Sequence, residues 1–194
     1  PATVLHPRMS DFPEALLTPQ VRLYGEVGDA MLAAFLEQFD AAREGDGPVV
    51  VELTTVGGDA DVGRRIAADI RQHREQNGGR VLFFGKTTVY SAGATIMSGF
   101  RREDRWLDRQ CVLMIHCRKL AKTLELSNFL ADERPRVEAL LSEIDLGLKV
   151  QRWDFEALIE GSGVALDELE EQARENWYLD AGEALKRGLV AGVV

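Results

Sequence analysis

The chain has little of what would place it in a membrane, a secreted framework or a metal centre. No apolar run approaches the roughly 18–20 residues of a membrane-crossing helix, and the first 20 residues hold no apolar core of the signal-peptide kind. Cysteine is scarce. Cys111 and Cys117 are the only two, and both read as part of one strand, where they would stand about 20 Å apart, beyond disulfide reach. Reduced, buried thiols and a cytoplasmic setting are the expectation. Histidine is limited to His6, His73 and His116. With two cysteines and one histidine sharing a strand, no zinc spacing exists, and no metal is expected. Basic residues are outnumbered, 23 against 32 acidic, for a net charge of −9. Arg101-Arg102, Arg105, Arg109 and Arg118-Lys119 form only short clusters and read as solvated positions. Neither a nucleic acid nor an anionic membrane is an expected partner. Gly85-Lys86-Thr87 follows a strand but lacks the earlier glycine of a phosphate-binding loop, because Arg80 stands there; nucleotide binding is rejected.

What is present is an ordinary globular composition, 45% hydrophobic, in 194 residues, enough for one good core. Pro7, Pro13 and Pro19 punctuate an N-terminal arm over 1–20, and 21–194 read as a single domain. Strands are predicted at 21–24, 49–53, 81–84 and 112–116; the later ones are apolar-rich runs, interrupted only by Glu52 and closed by His116. Amphipathic helices are predicted at 29–43 and from Val62 to Asn77-Gly78-Gly79, and a small-residue helix at 92–100. This alternation argues for an α/β fold with largely parallel pairing. The second half is helical. Pro135 suits the first turn of a long helix carrying Val137, Leu140, Leu141, Ile144 and Leu148. A short helix follows at 166–174. Asp180 to Glu183 resembles a capping box, with Gly188 as the stop. His73, in a charged helical stretch, reads as solvated.

Two turns carry the chemistry. Thr54-Thr55-Val56-Gly57-Gly58-Asp59 and Val89-Tyr90-Ser91-Ala92-Gly93-Ala94 each follow a buried strand and open into a helix. A serine at such a turn also serves as a helix N-cap. The small residues after Ser91, however, leave room for a substrate carbonyl. The N–H of Ala92 and a glycine N–H from the other turn could hold an oxyanion. His116, closing an apolar strand, is the histidine available as a base.

Four motifs in order resemble one family. These are Val49 to Leu53 leading to Thr55-Val56-Gly57-Gly58, Ser91-Ala92-Gly93-Ala94, Leu113-Met114-Ile115-His116, and Tyr178-Leu179-Asp180-Ala181-Gly182-Glu183-Ala184 with Gly188-Leu189-Val190. From about Val21 to Val190 the chain resembles the proteolytic subunit of the Clp protease. The resemblance implies an α/β, Clp/crotonase-type ββα superhelix with a largely parallel sheet and a protruding helical handle at about 120–160. It implies a serine peptidase with Ser91 as nucleophile, His116 as general base, and the N–H groups of Gly58 and Ala92 as the oxyanion hole. Counting back from Tyr178-Leu179, the family's aspartate falls on Asn176, which cannot stabilise an imidazolium as a carboxylate does; Glu175 is an alternative acid. Peptide or unfolded-protein substrates, a homo-oligomeric ring, an ATPase unfoldase partner and no cofactor are further implications. Two other readings stay open: a catalytically inactive scaffold or regulatory subunit, and a crotonase-type acyl-CoA enzyme.

Overall fold

The computed structural model describes residues 13–194; His6 lies outside them. The fold is built on strand–helix alternation. In chain order, β1 (Val21–Tyr24), α1 (Asp29–Ala42), β2 (Val49–Thr55), α2 (Ala60–Asn77) and β3 (Val81–Tyr90) are followed by the six-residue α3 (Ala92–Met97). Then come β4 (Arg105–Leu107), β5 (Val112–Ile115), α4 (Leu130–Ile159), α5 (Leu166–Ala173), β6 (Trp177–Asp180), α6 (Ala181–Lys186) and β7 (Gly192–Val193).

The strands form one seven-stranded sheet with the path β1-β2-β3-β4-β7, parallel throughout. This sheet forks along β3. Residues Phe83 to Gly85 pair with β4, whereas Thr88 to Tyr90 pair with β5, Tyr90 opposite Met114. Strand β6 then runs antiparallel to β5, from Val112 opposite Asp180 to Ile115 opposite Trp177. The main core lies under α1, α2 and α3, where Phe35, Leu53, Ile66, Phe83 and Leu113 are fully buried, each large side chain contributing roughly 1.5–3 kcal/mol. The other face of β2 and β3 is covered as well: Leu16 packs with Val50, Leu82 and Phe84. Burial on both faces explains why these strands read as near-continuous apolar runs, interrupted in β2 only by Glu52 before its threonines.

Local signals worked where they had a physical cause. The Asp59 carboxylate accepts from the N–H groups of Asp61 and Val62 at 2.8 and 3.2 Å, capping α2, and Gly78 ends that helix in the left-handed region. Asp180 caps α6 by accepting from Glu183 N–H at 2.8 Å.

Several expectations are corrected. Strand β3 runs six residues beyond Phe84, because its far end gains β5 as a second parallel partner. Strands β4, β6 and β7 are too short to carry a readable period. Helix α4 starts at Leu130, so Pro135 stands inside it, beyond the first turn where it was expected. Cys117 is half-buried and lies, like the buried Cys111, outside β5; both are free thiols.

Arg105 is not solvated: only 1% of its surface is exposed. Its guanidinium donates to the carbonyls of Phe100 (2.9 Å), Leu158 (2.6 Å) and Ala157 (3.1 Å). The last two are unpaired carbonyls at the end of α4, where a cation also meets the negative end of the helix dipole. Burial pulls its pKa down to about 10.

His73 is buried too, edge-on to Phe39 at 5.3 Å between ring centroids. Among the described residues no helix is long and apolar enough to cross a membrane, and no group of His, Cys, Asp and Glu could hold a metal ion.

Candidate active site

The carboxyl ends of β2, β3 and β5 converge on a cavity of about 520 Å³ lined by Gly58, Ser91, Ala92, His116, Arg118 and Gln151, among others. The two turns singled out in the sequence therefore meet in space.

Ser91 has φ 55° and ψ −113°, a left-handed conformation that costs a non-glycine residue roughly 1–3 kcal/mol. The neighbouring strand holds it there. Ser91 N–H donates to Met114 C=O at 2.7 Å, and its own carbonyl accepts from Ala94 N–H at 2.9 Å. Although the residue occupies the N-cap of α3, its hydroxyl makes no capping bond.

The diglycine turn is strapped on both sides. Val27 N–H donates to Gly57 C=O at 2.9 Å, and Asp59 N–H donates to Val27 C=O at 2.8 Å. Gly57 N–H donates to the buried Thr55 hydroxyl at 3.0 Å. No side chain would fit at either glycine. A Cβ on Gly57 (φ +103°) would meet the Ser91 side chain, and one on Gly58 (φ +146°) would stand 2.3 Å from Val27 C=O. Among the described residues the N–H groups of Gly58 and Ala92 donate to nothing. The sequence expected these two to face an oxyanion; both line the cavity beside Ser91.

His116 is half-buried just beyond β5. Its Nδ1 lies 2.6 Å from the carbonyl oxygen of Cys117. A carbonyl can only accept, so Nδ1 carries the proton, and in the neutral form of the imidazole the lone pair falls on Nε2. Ser91 and His116 share the cavity wall without a hydrogen bond between them.

Asn176 does not join them. Continuing the β5–β6 ladder by one step beyond Ile115 and Trp177 would set Asn176 opposite His116. The ladder stops first. Cys117 N–H donates at 2.9 Å to Ala173 C=O, at the end of α5, and Asn176 turns out through a left-handed φ of 63°. Asn176 and the alternative acid Glu175 are both exposed, and neither bonds to His116.

Charge reaches the cavity by another route. Arg118 donates to Asp61 at 2.8 Å and lies 3.7 Å from Asp154, which also pairs with Arg64 at 3.0 Å. Desolvation outweighs these two cations and raises the Asp154 pKa above its usual value. Arg118 was expected to be solvated; its Nε is buried without a partner. Gln151 was not foreseen. The signal was available, since Gln151, Phe155 and Leu158 fall on one face of α4 by helical spacing, a polar residue in an apolar row.

A forked, mainly parallel sheet, a strained serine at a strand-to-helix turn and a long, exposed helix make up an α/β fold of the kind found in Clp proteolytic subunits. The comparisons agree that the chain resembles those subunits. It is similar to the ATP-dependent Clp protease proteolytic subunit 2 of Treponema pallidum (strain Nichols), with 24% identity over 191 residues covering 94% of this chain and 85% of that protein. It is also similar to the solved structure of a ClpP1 mutant from Listeria monocytogenes in which one asparagine is replaced by aspartate. There the TM-score is 0.71 and the identity 18%, over 93% of each chain. No family model matches.

Proposed function

We propose that the protein is a serine peptidase in which Ser91 attacks the peptide carbonyl and His116 is the general base. In this reading Nε2 takes the hydroxyl proton as Oγ adds to the carbonyl carbon, and later delivers it to the leaving amine. The N–H groups of Gly58 and Ala92 stabilise the oxyanion of the tetrahedral intermediate. Water then hydrolyses the acyl-enzyme by the same path in reverse. No cofactor is required. The carbonyl of Cys117 fixes the histidine tautomer, the role that the family assigns to an aspartate and that the sequence assigned to Asn176 or Glu175.

One observation carries the reading: Ser91 is held in a strained turn, makes no cap bond, and stands beside two N–H groups that donate to nothing among the described residues. A purely structural serine would leave that strain without a purpose. The second reading, an inactive scaffold or regulatory subunit, draws support from the missing carboxylate at His116. A fluorophosphonate probe separates them. Labelling of the wild type and not of Ser91→Ala is expected; no labelling, alongside a control hydrolase that reacts, selects the scaffold.

Helix α4 is 30 residues long, about 45 Å at 1.5 Å per residue. Its Leu130, Leu141 and Leu148 are exposed, at 88%, 55% and 56%. Exposed leucines at helical spacing support a self-associating handle; the resemblance to Clp proteolytic subunits extends this reading to a homo-oligomeric ring acting on peptides or unfolded chains, with an ATPase unfoldase as partner. Light scattering tests the first step: Leu141→Glu is expected to lower the oligomer mass, and a monomeric wild type would overturn it.

A further inference from the structure

The group that orients His116 is itself held at its other end. The Cys117–Arg118 peptide accepts from His116 Nδ1 through its C=O, at 2.6 Å, and donates through its N–H to Gln151 Oε1, at 2.7 Å. Gln151 sits on α4 and is only 8% exposed. One peptide unit thus links the imidazole to a buried amide on the handle helix. Hydrogen bonds in such a chain polarise one another: an acceptor on the N–H pushes electron density toward the C=O and makes it a better acceptor for Nδ1–H. The same peptide is braced on either side. Cys117 N–H is tied to Ala173 C=O at 2.9 Å, and the Arg118 side chain is tied to Asp61 at 2.8 Å.

We infer that Gln151 is a positioning residue for the proposed peptidase chemistry, acting on His116 through the Cys117–Arg118 peptide in place of a triad carboxylate. This rests on His116 being the base. Gln151 touches no reacting atom. It fixes the plane of one peptide, and that plane fixes the tautomer and tilt of the imidazole. A side-chain carboxylate at the usual place is then unnecessary for orientation, which accounts for an exposed Asn176.

The test compares Gln151→Leu, which removes the acceptor, with Gln151→Glu, which keeps one. Two readouts are taken. The first is the fluorophosphonate labelling rate of Ser91, with kcat and KM where a peptide is hydrolysed. The second is the tautomer of His116, read from its imidazole ¹⁵N shifts, with assignment by His116→Gln. Gln151→Leu is expected to slow labelling roughly tenfold to a hundredfold, the usual cost of losing a group that orients a functional histidine. KM should stay unchanged, and the imidazole should lose its fixed Nδ1–H form. Gln151→Glu is expected to restore both within about threefold, by keeping an acceptor in the same place. An unchanged tautomer and rate in Gln151→Leu overturns the inference. So does failure of Gln151→Glu to restore a folded protein's rate. If Gln151→Leu does not fold, Gln151→Met takes its place with the same criteria. Absence of labelling in the wild type overturns the peptidase reading and with it the chemical purpose of the link; the tautomer measurement needs no reaction and still decides separately whether Gln151 orients His116 through the peptide.

Discussion

A Cβ on Gly57 would stand 2.8 Å from the Cβ of Ser91 and 3.3 Å from its hydroxyl oxygen. The diglycine turn is therefore the wall against which the serine is placed. Gly57→Ala adds a clash to a positive φ. A loss of roughly 2–5 kcal/mol is expected from backbone strain and overpacking together, with loss of Ser91 labelling. Gly25 supplies the control: its φ is +94° with nothing within 4 Å of its missing Cβ, so Gly25→Ala should cost strain alone. Equal losses in chemical denaturation for the two variants would show that the contact with Ser91 is immaterial.

Asn176→Asp restores the residue type expected from the family. Because Asn176 is exposed and bonds to nothing near His116, the added charge is screened by water and salt. Serine labelling should change by less than about threefold, within the modest reach of an exposed charge. An increase of a hundredfold would mean that the Asn176 loop folds back onto the histidine.

Arg105 joins the end of α4 to the turn that follows α3 through three bonds to the carbonyls of Leu158, Ala157 and Phe100. Replacing it with methionine keeps most of its packing but leaves those carbonyls buried without donors. A loss of about 3–5 kcal/mol is expected, visible as a lower denaturation midpoint. A variant as stable as the wild type would show that water replaces the guanidinium there.

Stability should fall as pH drops below about 6.5, the ordinary value for histidine. Burial, reinforced by the Arg43 charge, holds the His73 imidazole below that value in the folded protein. Between the folded and unfolded values the unfolded chain binds a proton that the folded chain does not, so acid favours unfolding. Below the folded value the slope from this group ends. His73→Phe should flatten thermal stability between about pH 6.5 and the onset of carboxylate titration; an unchanged slope would exclude His73 as its source.

The sheet and the two turns were legible in the sequence because each had a local cause, and the same strand ends put forward the two residues proposed to carry the chemistry. Strands buried on both faces gave apolar runs at Val49 to Leu53, interrupted only by Glu52, and at Val81 to Phe84. Asp59 and Gly78 marked both ends of α2 by capping chemistry. Ser91 and His116 stood where apolar strands end. What stayed hidden depended on partners distant in the chain. Arg105 reads as one more surface cation until the end of α4 brings it carbonyls from more than 50 residues away. His73 reads as solvated until Phe39 and Gly79 close over it. The third place beside His116 could be counted to Asn176, but the count could not see Cys117 bonding to Ala173 and ending the ladder one residue early. Gln151 acts through a backbone amide, and no residue type in the sequence announces that.

The fork along β3 sets Tyr90 and Met114 side by side on parallel strands, and Ser91 and His116 are each reached within two residues of that pair. The backbone ladder is therefore a ruler common to both. Loops between them can lengthen or shorten without altering their separation. The third place has no such ruler, since it lies past the end of an antiparallel pairing and around a left-handed residue. Insertions or substitutions over 174–176 can change what stands there while leaving serine and histidine in register. In this architecture a side chain at the third place is what sequence change can remove first, and a neighbouring backbone carbonyl what it cannot.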